Sequence, residues 1–260
     1  MVYETEEYRT LHICLHLGIA SYRRFMHERT SHIAVNDMDW QRSRLVTIVS
    51  SVAVVSTICL FLTGIEICWR IKKRGSTEGI GSAPFHMGFV SGFLWLHYGV
   101  VKGDVAVVYV NMVSLSLYTL YLIYYCLKTP PNMKRRQLRL TTVEVVCLTL
   151  MHLYVRHSND ALEVVLNRLG FVCLAFNIAT VAAPLLALGE VIRSRSTENL
   201  PLPLCFANFL VTSEWLLYGF LINDFFIKFP NAVAVIMSIA QIIPFLVYPR
   251  RKKTSVVRIP

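Results

Sequence analysis

Charged residues are scarce in this chain of 260 residues, at 16% against about a quarter in a typical soluble domain. The seven cysteines are scattered through apolar stretches, and none forms a Cys-x-x-Cys pair, so the usual metal and redox motifs are excluded. Nucleotide-binding and ion-binding motifs are also missing. The sequence therefore predicts a protein that is not an enzyme and that has neither cofactor nor metal site.

Long apolar runs are what the sequence has instead. About 20 apolar residues cross a bilayer, and three runs of that length stand out at Leu45–Trp69, Val105–Leu127 and Leu169–Ile192. Four weaker runs complete the pattern: Ala83–Val101, Leu140–Val155, Pro203–Ile222 and Phe225–Tyr248. The fold class predicted is therefore an all-α integral membrane protein with seven transmembrane helices.

The net charge of +10 comes largely from Lys and Arg next to the spans. These residues crowd the first and third loops and the basic tail after 248, and the positive-inside rule places such segments in the cytoplasm. Seven spans then put the N-terminus outside and the C-terminus inside. No patch of basic and aromatic residues lies outside the spans, so nucleic acid is not an expected partner.

The first 44 residues are predicted to form an extension rather than a span. The apolar stretch "LHICLHLGIA" is too short to cross a bilayer, and its basic residues follow it, whereas a signal peptide carries them in front. Two alternatives stay open for this extension, an amphipathic surface segment and a disordered tail. Its arginines argue against an external location, but long tails obey the charge rule poorly.

An internal repeat organises the membrane region, and internal repeats at a fixed period decide the fold. The segment "WLHYG" at 95 returns as "WLLYG" at 215, and a gapless overlay of 64–127 on 184–247 has 12 identities. Its polar and aromatic landmarks all recur 120 residues on: Ser76–Glu78 with Ser196–Glu198, Trp95 with Trp215, Tyr98 with Tyr218, Asp104 with Asp224, and Asn111 with Asn231. His97 does not recur, which makes it a local feature near the outer surface.

The repeat covers three spans, so spans 1–3 match spans 5–7 and span 4 connects them. Three spans leave the chain on the opposite side of the membrane from where it started. A fourth span is therefore needed to return the chain, so that the second bundle runs parallel to the first, as in one class of transporters. The predicted organisation is an extension, a first bundle, a connector, a second bundle and a basic cytoplasmic tail, at 1–44, 45–127, 128–164, 165–248 and 249–260.

The chain resembles the SWEET family of sugar uniporters, in its animal branch. The resemblance covers about 45–250 and rests on "KKRGSTE", "WLHYGVVKGD", "YVNMVSLSLYTLY", "AAPLLALGEVIRSRSTENLPLPL" and "WLLYGFLINDFFIKFPNAV". It implies bidirectional, facilitative transport of a mono- or disaccharide by alternating access, in the plasma membrane or the Golgi. The sugar and the bilayer are the expected partners, and homo-oligomerisation stays open.

Two residue pairs are the candidates for binding substrate. Asn111 and Asn231 lie inside spans, where an amide needs polar partners; one alternative is a hydrogen bond between helices, and the other is a central site for sugar hydroxyls. Trp95 and Trp215 either stack on a sugar ring or belong to an interfacial belt. The resemblance implies the substrate-binding role for all four.

Further pairs are candidates for gating. Tyr98 and Tyr218 lie one helical turn outward of the tryptophans, and Asp104 and Asp224 follow in loops, so interfacial tyrosines and solvated acids are one interpretation. The resemblance implies instead an outer gate closed by hydrogen bonds among Tyr98, Tyr218 and Asp224.

Prolines are candidate hinges because a proline within a helix removes a backbone hydrogen bond. The family has a hinge proline in each of four spans, and this chain matches at Pro84, at Pro184 and at Pro201 or Pro203. It departs from the pattern in span 1, where Gly64 occupies the position equivalent to Pro184. Pro84, Pro201 and Pro203 are equally suited to starting helices.

Other functions remain open at this point. Intramembrane acids at 66, 144, 190 and 214 would allow a proton relay, although none has an acidic partner at the 120-residue offset. A PQ-loop type exporter of amino acids is a related architecture, but the Pro-Gln dipeptide is absent. A seven-span receptor does not explain the repeat, and the sequence does not exclude a scaffolding role.

Overall fold

A computed structural model describes residues 37–198 and 200–249. Within these ranges the chain forms helices and no strand. We number the helices in chain order: α1 Asp37–Phe61, α2 Thr63–Arg74, α3 Ala83–Lys102, α4 Val105–Lys128, α5 Pro131–His157, α6 Leu162–Thr180, α7 Ala182–Ser194, α8 Leu202–Leu221, α9 Phe225–Ile242 and α10 Pro244–Val247. The first helix thus includes residues 37–44 of the predicted extension, whereas 1–36 and the tail from 250 lie outside the described residues.

These helices form seven spans, as predicted. Spans 1, 5 and 7 each consist of two consecutive helices (α1–α2, α6–α7 and α9–α10), and the other four are single helices. Six of the seven, all but span 2, are long and apolar enough by composition alone to cross a membrane. Span 2 is α3, with 20 residues; it is less apolar because it includes His86 and His97, and it packs among the other spans.

Span 4 is longer than the sequence indicated. Its predicted apolar run was Leu140–Val155, but α5 covers 27 residues from Pro131. The extra turns carry Lys134, Arg135 and Arg136, whose charge hid them from a search for apolar runs. A helix can extend beyond the hydrocarbon layer, where its charged side chains are solvated.

The two three-span bundles have matching internal packing. Spans 2 and 3 form one tight hairpin and spans 6 and 7 the other, while span 3 also packs on span 1 and span 7 on span 5. Glycines allow the helices of each hairpin to approach: a Cβ on Gly99 would lie 3.0 Å from the Val108 backbone nitrogen, and one on Gly219 would lie 2.9 Å from that of Lys228. Both pairs are 120 residues apart, so the repeat preserves this close contact.

The bundles meet along two helix pairs. Span 1 packs on span 6, and span 2 packs on span 5; we call these the 1–6 interface and the 2–5 interface, and together the seam. Span 4 packs on spans 2 and 3, so the connector is attached to the first bundle. This is the predicted three-one-three arrangement. We call the end with loops at 103–104 and 222–224 the outer end, and the other the basic end.

Spans 1 and 5 break at nearly equivalent positions. Span 1 is interrupted at Leu62, two residues before Gly64. Span 5 is interrupted at Val181, three residues before Pro184. Pro184 has no N–H to continue the helical hydrogen bonds, which accounts for the second break. In span 1 the break occurs without a proline, and a Cβ on Gly64 would lie only 2.4 Å from the Tyr121 ring.

The other prolines lie at helix starts. Pro84 and Pro203 are in the first turns of α3 and α8, and Pro201 directly precedes α8. Missing N–H groups cost little there because the first turn of a helix has no intrahelical acceptors for them. The surface of the bundle is apolar, with exposed large hydrophobic side chains on every span, as expected for side chains in contact with lipid.

The cysteines differ in their burial. Cys173 and Cys205 are buried, but Cys59 and Cys147 are exposed on the apolar outer surface. Among the described residues no group of three or more His, Cys, Asp or Glu side chains is close enough together to hold a metal ion.

Candidate functional site

A layer of tryptophan hydrogen bonds crosses the seam. The Trp95 indole nitrogen donates to Asn177 Oδ1 at 3.3 Å, and that of Trp215 donates to Thr57 Oγ1 at 2.8 Å. Thr57 and Asn177 are themselves 120 residues apart. Each repeat therefore supplies a tryptophan from its second span to a polar side chain on the first span of the other repeat.

A second reciprocal layer lies one helical turn further out. The Tyr98 hydroxyl donates to Asp224 Oδ2 at 2.8 Å, and the Tyr218 hydroxyl lies 2.9 Å from both carboxylate oxygens of Asp104. All four side chains are buried: Asp104 is 9% exposed and Asp224 is 4% exposed. The interpretation of solvated acids is therefore wrong in this structure: both acids are buried and hydrogen-bonded across the seam.

Helix starts hold the two aspartates in place. Asp104 is the N-cap of α4 and accepts from the Val107 N–H at 3.1 Å, while Asp224 caps α9 and accepts from the Phe226 N–H at 2.8 Å. A buried carboxylate needs such donors, and the N-terminal end of a helix also favours negative charge. The same residues thus start the third span of each repeat and bond to the other repeat.

One cation breaks the symmetry of this layer. Lys102 makes an ion pair with Asp224, and its equivalent at the 120-residue offset is Ile222. Asp224 therefore accepts from a tyrosine, a lysine and backbone N–H groups, whereas Asp104 has no ion pair among the described residues.

Aromatic contacts join the two layers within each repeat. The ring centroids of Trp95 and Tyr98 are 5.4 Å apart at 75°, and those of Trp215 and Tyr218 are 5.5 Å apart at 89°. These edge-to-face contacts are favourable for aromatic rings. The four rings belong to one apolar cluster with Phe226, which fixes their orientation.

Asn111 and Asn231 lie deeper than the aspartates, one turn into their helices beyond Val107 and Ile227. Each amide donates to the carbonyl four residues earlier, at 2.8 Å in both cases, and each side chain is partly buried. Neither amide bonds another helix within the described part of the chain. A side-chain amide has two N–H groups and an acceptor oxygen, so each retains one donor and one acceptor.

The structure thus brings together the predicted tryptophans, tyrosines and Asp224 at the seam. The predicted hinges lie elsewhere: Gly64 and Pro184 are close to the helix breaks, and Pro84, Pro201 and Pro203 are at helix starts near the basic end. From the sequence, no role is predicted for Thr57, Asn177 or Lys102, and Asp104 is interpreted only as a solvated acid. The 120-residue offset could have found Thr57 and Asn177, because it pairs them as it pairs Asp104 with Asp224.

Comparison with known proteins identifies the family. The family model described as "Sugar efflux transporter for intercellular exchange" matches the chain twice, at residues 47–133 and 167–253. This chain belongs to the SWEET family. The paired matches agree with the internal repeat, and the family consists of transporters rather than enzymes.

Individual SWEET proteins align over most of the chain. The protein named sugar transporter SWEET1 of Caenorhabditis elegans is 35% identical over 80% of this chain and 67% of its own length. SWEET1 of Drosophila pseudoobscura pseudoobscura is 36% identical over 78% of this chain and 90% of its own. The rice protein named bidirectional sugar transporter SWEET12 is 30% identical, covering 82% and 71% of the two chains.

A solved structure supports the same assignment. A eukaryotic SWEET transporter determined at 3.7 Å resolution superimposes with a TM-score of 0.70 at 27% sequence identity. The match covers 78% of this chain and 97% of that one. The arrangement of seven spans described above is therefore the fold of this family.

Proposed function

We propose that this protein is a bidirectional, facilitative sugar transporter that works by alternating access between its two bundles. The observation that carries the proposal is the reciprocal bonding of the seam, in which the tyrosine of each repeat bonds the aspartate of the other repeat at the outer end, Tyr98 to Asp224 and Tyr218 to Asp104. Bonds of this kind can break and re-form as two rigid bundles rock, which is how parallel-repeat transporters expose a central site to either side.

The substrate site we propose lies in the seam inward of the closed outer end. Asn111 and Asn231 would bind sugar hydroxyls with the donor and acceptor that each retains, and Trp95 and Trp215 would stack on the apolar face of the ring. Tyr98, Tyr218 and Asp224 would form the outer gate together with Asp104. This arrangement suits a mono- or disaccharide, because polar groups would bind the hydroxyls while an aromatic face covers the sugar ring.

Hinges complete the proposed cycle. Gly64 and Pro184 lie next to the breaks in spans 1 and 5, so rotation about these breaks would move the basic end relative to the outer end. Pro84, Pro201 and Pro203 would shape the helix starts at the basic end. In the cell we propose the plasma membrane or the Golgi, with the N-terminus outside and the basic end in the cytoplasm.

The test is uptake of radiolabelled glucose and sucrose into proteoliposomes, with and without a pH gradient. We expect uptake that stops when the internal and external sugar concentrations are equal, and that does so in either direction. The double variant Asn111→Ala, Asn231→Ala should lower uptake at least about tenfold, since each lost hydrogen bond between uncharged groups contributes about 0.5–1.5 kcal/mol.

A matched control uses two asparagines outside the seam. Asn132 and Asn167 are exposed, so the double variant Asn132→Ala, Asn167→Ala should keep its uptake at equal protein content. Unchanged uptake in the Asn111, Asn231 variant would remove the site assignment but not the transport function. Uptake of labelled amino acids in place of sugars would contradict the function itself.

Proton coupling is a second candidate function with one observation in its favour. Glu214 on span 6 forms a hydrogen bond with Ser56 on span 1, beside the Trp215–Thr57 bond. An ionisable group at an interface that opens and closes could carry a proton. Sugar accumulation against its gradient when a pH gradient is applied would favour this candidate over a uniporter.

A further inference from the structure

Two adjoining cavities lie at the basic end of the first bundle. The first has a volume of about 600 Å³ and lies between the start of α3, the end of α4 and the start of α5. The second, of about 590 Å³, lies beside the end of α2. Both are lined by Gly79 and Ile80, so they adjoin at the loop between spans 1 and 2.

The walls of these cavities are basic. Arg70, Lys73 and Arg74 line the second cavity and Arg136 lines the first. Arg74 donates to the Glu78 carbonyl at 2.7 Å, and the Lys73 ammonium lies 3.5 Å from the centre of the Trp69 ring. Across residues 37–198 and 200–249, no hydrogen bond or ion pair holds the side chains of Arg70 and Arg136.

The acids near the cavities do not neutralise them. Glu144, at the inner wall of the first cavity, is already paired with His86 Nδ1 at 2.6 Å, and Gln137 contacts the other ring nitrogen of that histidine. Glu66 and Glu78, on either side of the basic residues in the sequence, line neither cavity. The cavities therefore have a net positive lining.

The second bundle lacks this charge, although it shares the fold. Residues 70–76 carry four basic residues and no acid, whereas the equivalent 190–196 carry two basic residues and one acid. Arg70 corresponds to Glu190 and Arg74 to Ser194. The family fold does not require the charge, because the second repeat forms the same helices without it.

The first cavity is apolar further in. Met87, Val90, Leu140 and Phe176 contribute to its lining. Phe176 belongs to span 5, so this wall includes a residue of the second bundle. A molecule in this cavity would contact both bundles with its apolar part and the arginines with its polar part.

We propose that these cavities bind an anionic lipid whose headgroup carries two or more phosphates. Guanidinium groups bind phosphate through paired hydrogen bonds, and basic pockets between spans at the cytoplasmic side suit lipids of this kind. Phosphates would occupy the basic cavities next to Gly79 and Ile80, and an acyl chain would lie along the apolar wall.

The test compares two double variants with the same change in charge. Arg70→Ala, Arg136→Ala removes the two unpaired arginines of the cavities, and Lys72→Ala, Arg135→Ala removes their exposed neighbours, which do not line either cavity. The readout is binding of the purified full chain to phosphatidylcholine nanodiscs with and without phosphatidylinositol bisphosphate. Each cation near a headgroup contributes about a fivefold factor, so the cavity variant should bind about thirtyfold more weakly.

The control variant distinguishes a built site from general attraction. Its affinity for the bisphosphate nanodiscs should fall by no more than about threefold, because its cations act only through the diffuse surface potential. Equal losses in the two variants would overturn the proposal. Equal circular dichroism spectra and thermal midpoints for both variants would establish that neither has unfolded.

Two further arms identify the ligand's source. Nanodiscs with phosphatidylserine at matched total charge should bind at least about tenfold more weakly than those with the bisphosphate lipid. Soluble inositol trisphosphate should compete poorly, since it lacks an acyl chain. Equal binding to both lipids, or full competition by the soluble headgroup, would overturn the lipid assignment. Binding is measured without sugar, so these results do not depend on the proposed transport function.

Discussion

The 1–6 and 2–5 interfaces come from the same repeat but differ in their polar contacts. Each has one tryptophan bonded across the seam, to Thr57 in the first case and to Asn177 in the second. The 1–6 interface adds the Ser56–Glu214 bond, where the 2–5 interface has Phe176 and Leu94 at the equivalent positions. Duplication has kept the tryptophan and tyrosine layers and has let the neighbouring positions diverge.

The outer end has asymmetric contacts of its own. Lys102 adds an ion pair to the bond between Tyr98 and Asp224, whereas Asp104 has no ion pair among the described residues. On the 1–6 side, Arg42 donates to the Leu221 carbonyl at 2.8 Å, and the residue equivalent to Arg42 is Leu162. Both interfaces therefore have polar contacts that the repeat does not share. This difference predicts unequal effects for equivalent substitutions, which we order from the largest to the smallest.

Asp224→Asn should weaken the closed outer end more than Asp104→Asn. It leaves the Lys102 charge without its partner, and hydrogen bonds to charged groups contribute about 1.5–3 kcal/mol, equal to about a tenfold or larger change in the closed population. Cys173, which is buried in the aromatic cluster, reports opening through its labelling by an impermeant thiol reagent, read by peptide mass spectrometry. Equal labelling in the two variants would mean that Lys102 contributes nothing to closure.

Gly64→Ala should destabilise span 1 although its equivalent is a proline. The new Cβ would lie 2.4 Å from the Tyr121 ring, and overpacking of this kind costs about 1–3 kcal/mol. The measurement is the thermal midpoint in detergent micelles. Combining Gly64→Ala with Tyr121→Leu should recover part of the loss; a double variant no more stable than Gly64→Ala alone would show that the ring is not the obstacle.

Trp215→Phe should cost more stability than Trp95→Phe. The Trp215 bond to Thr57 is 2.8 Å long and the Trp95 bond to Asn177 is 3.3 Å, so the shorter bond should contribute nearer the top of the usual ~0.5–1.5 kcal/mol. Thermal midpoints of the two variants give the ranking directly. A larger loss for Trp95→Phe would reverse the order that we infer from the distances.

Glu214→Gln should have the smallest effect. Glutamine keeps an acceptor for the Ser56 hydroxyl and has no titrating group, so in a uniporter we expect sugar exchange by this variant to change by less than about twofold between pH 5.5 and 7.5. The measurement is counterflow of labelled sugar with no pH gradient. A pH dependence that disappears in this variant would favour proton coupling.

The repeat in the sequence predicted most of the fold. Landmarks such as Trp95 with Trp215 and Asn111 with Asn231, all at one offset, led to two parallel bundles and a connector, and the helices and the family match confirm that arrangement. The length of span 4 was not predictable from hydropathy because its first two turns are basic. The break in span 1 was also hidden, since no proline marks it.

The candidate site was predictable in kind but not in its pairings. The sequence indicates that Tyr98 and Tyr218 are equivalent, but a repeat alone does not reveal which spans meet at the seam. In the structure span 1 packs on span 6, where Thr57 bonds Trp215, and the equivalent packing of span 5 on span 2 brings Asn177 to Trp95. The bonds of the Asn111 and Asn231 amides to their own helices also depend on side-chain rotamers, which the sequence does not specify.

The capping role of the two aspartates has a consequence for the speed of the proposed cycle. In that cycle, opening of the outer end would separate Asp104 and Asp224 from their tyrosines, while the backbone N–H groups of their own helices would still hold each carboxylate in place. Ordering a free side chain costs about 0.5–1.5 kcal/mol each time a contact forms, and folding has already met that cost for the acceptor half. Each return of the empty carrier therefore finds its receiving groups in position, and only the tyrosine hydroxyls have to realign.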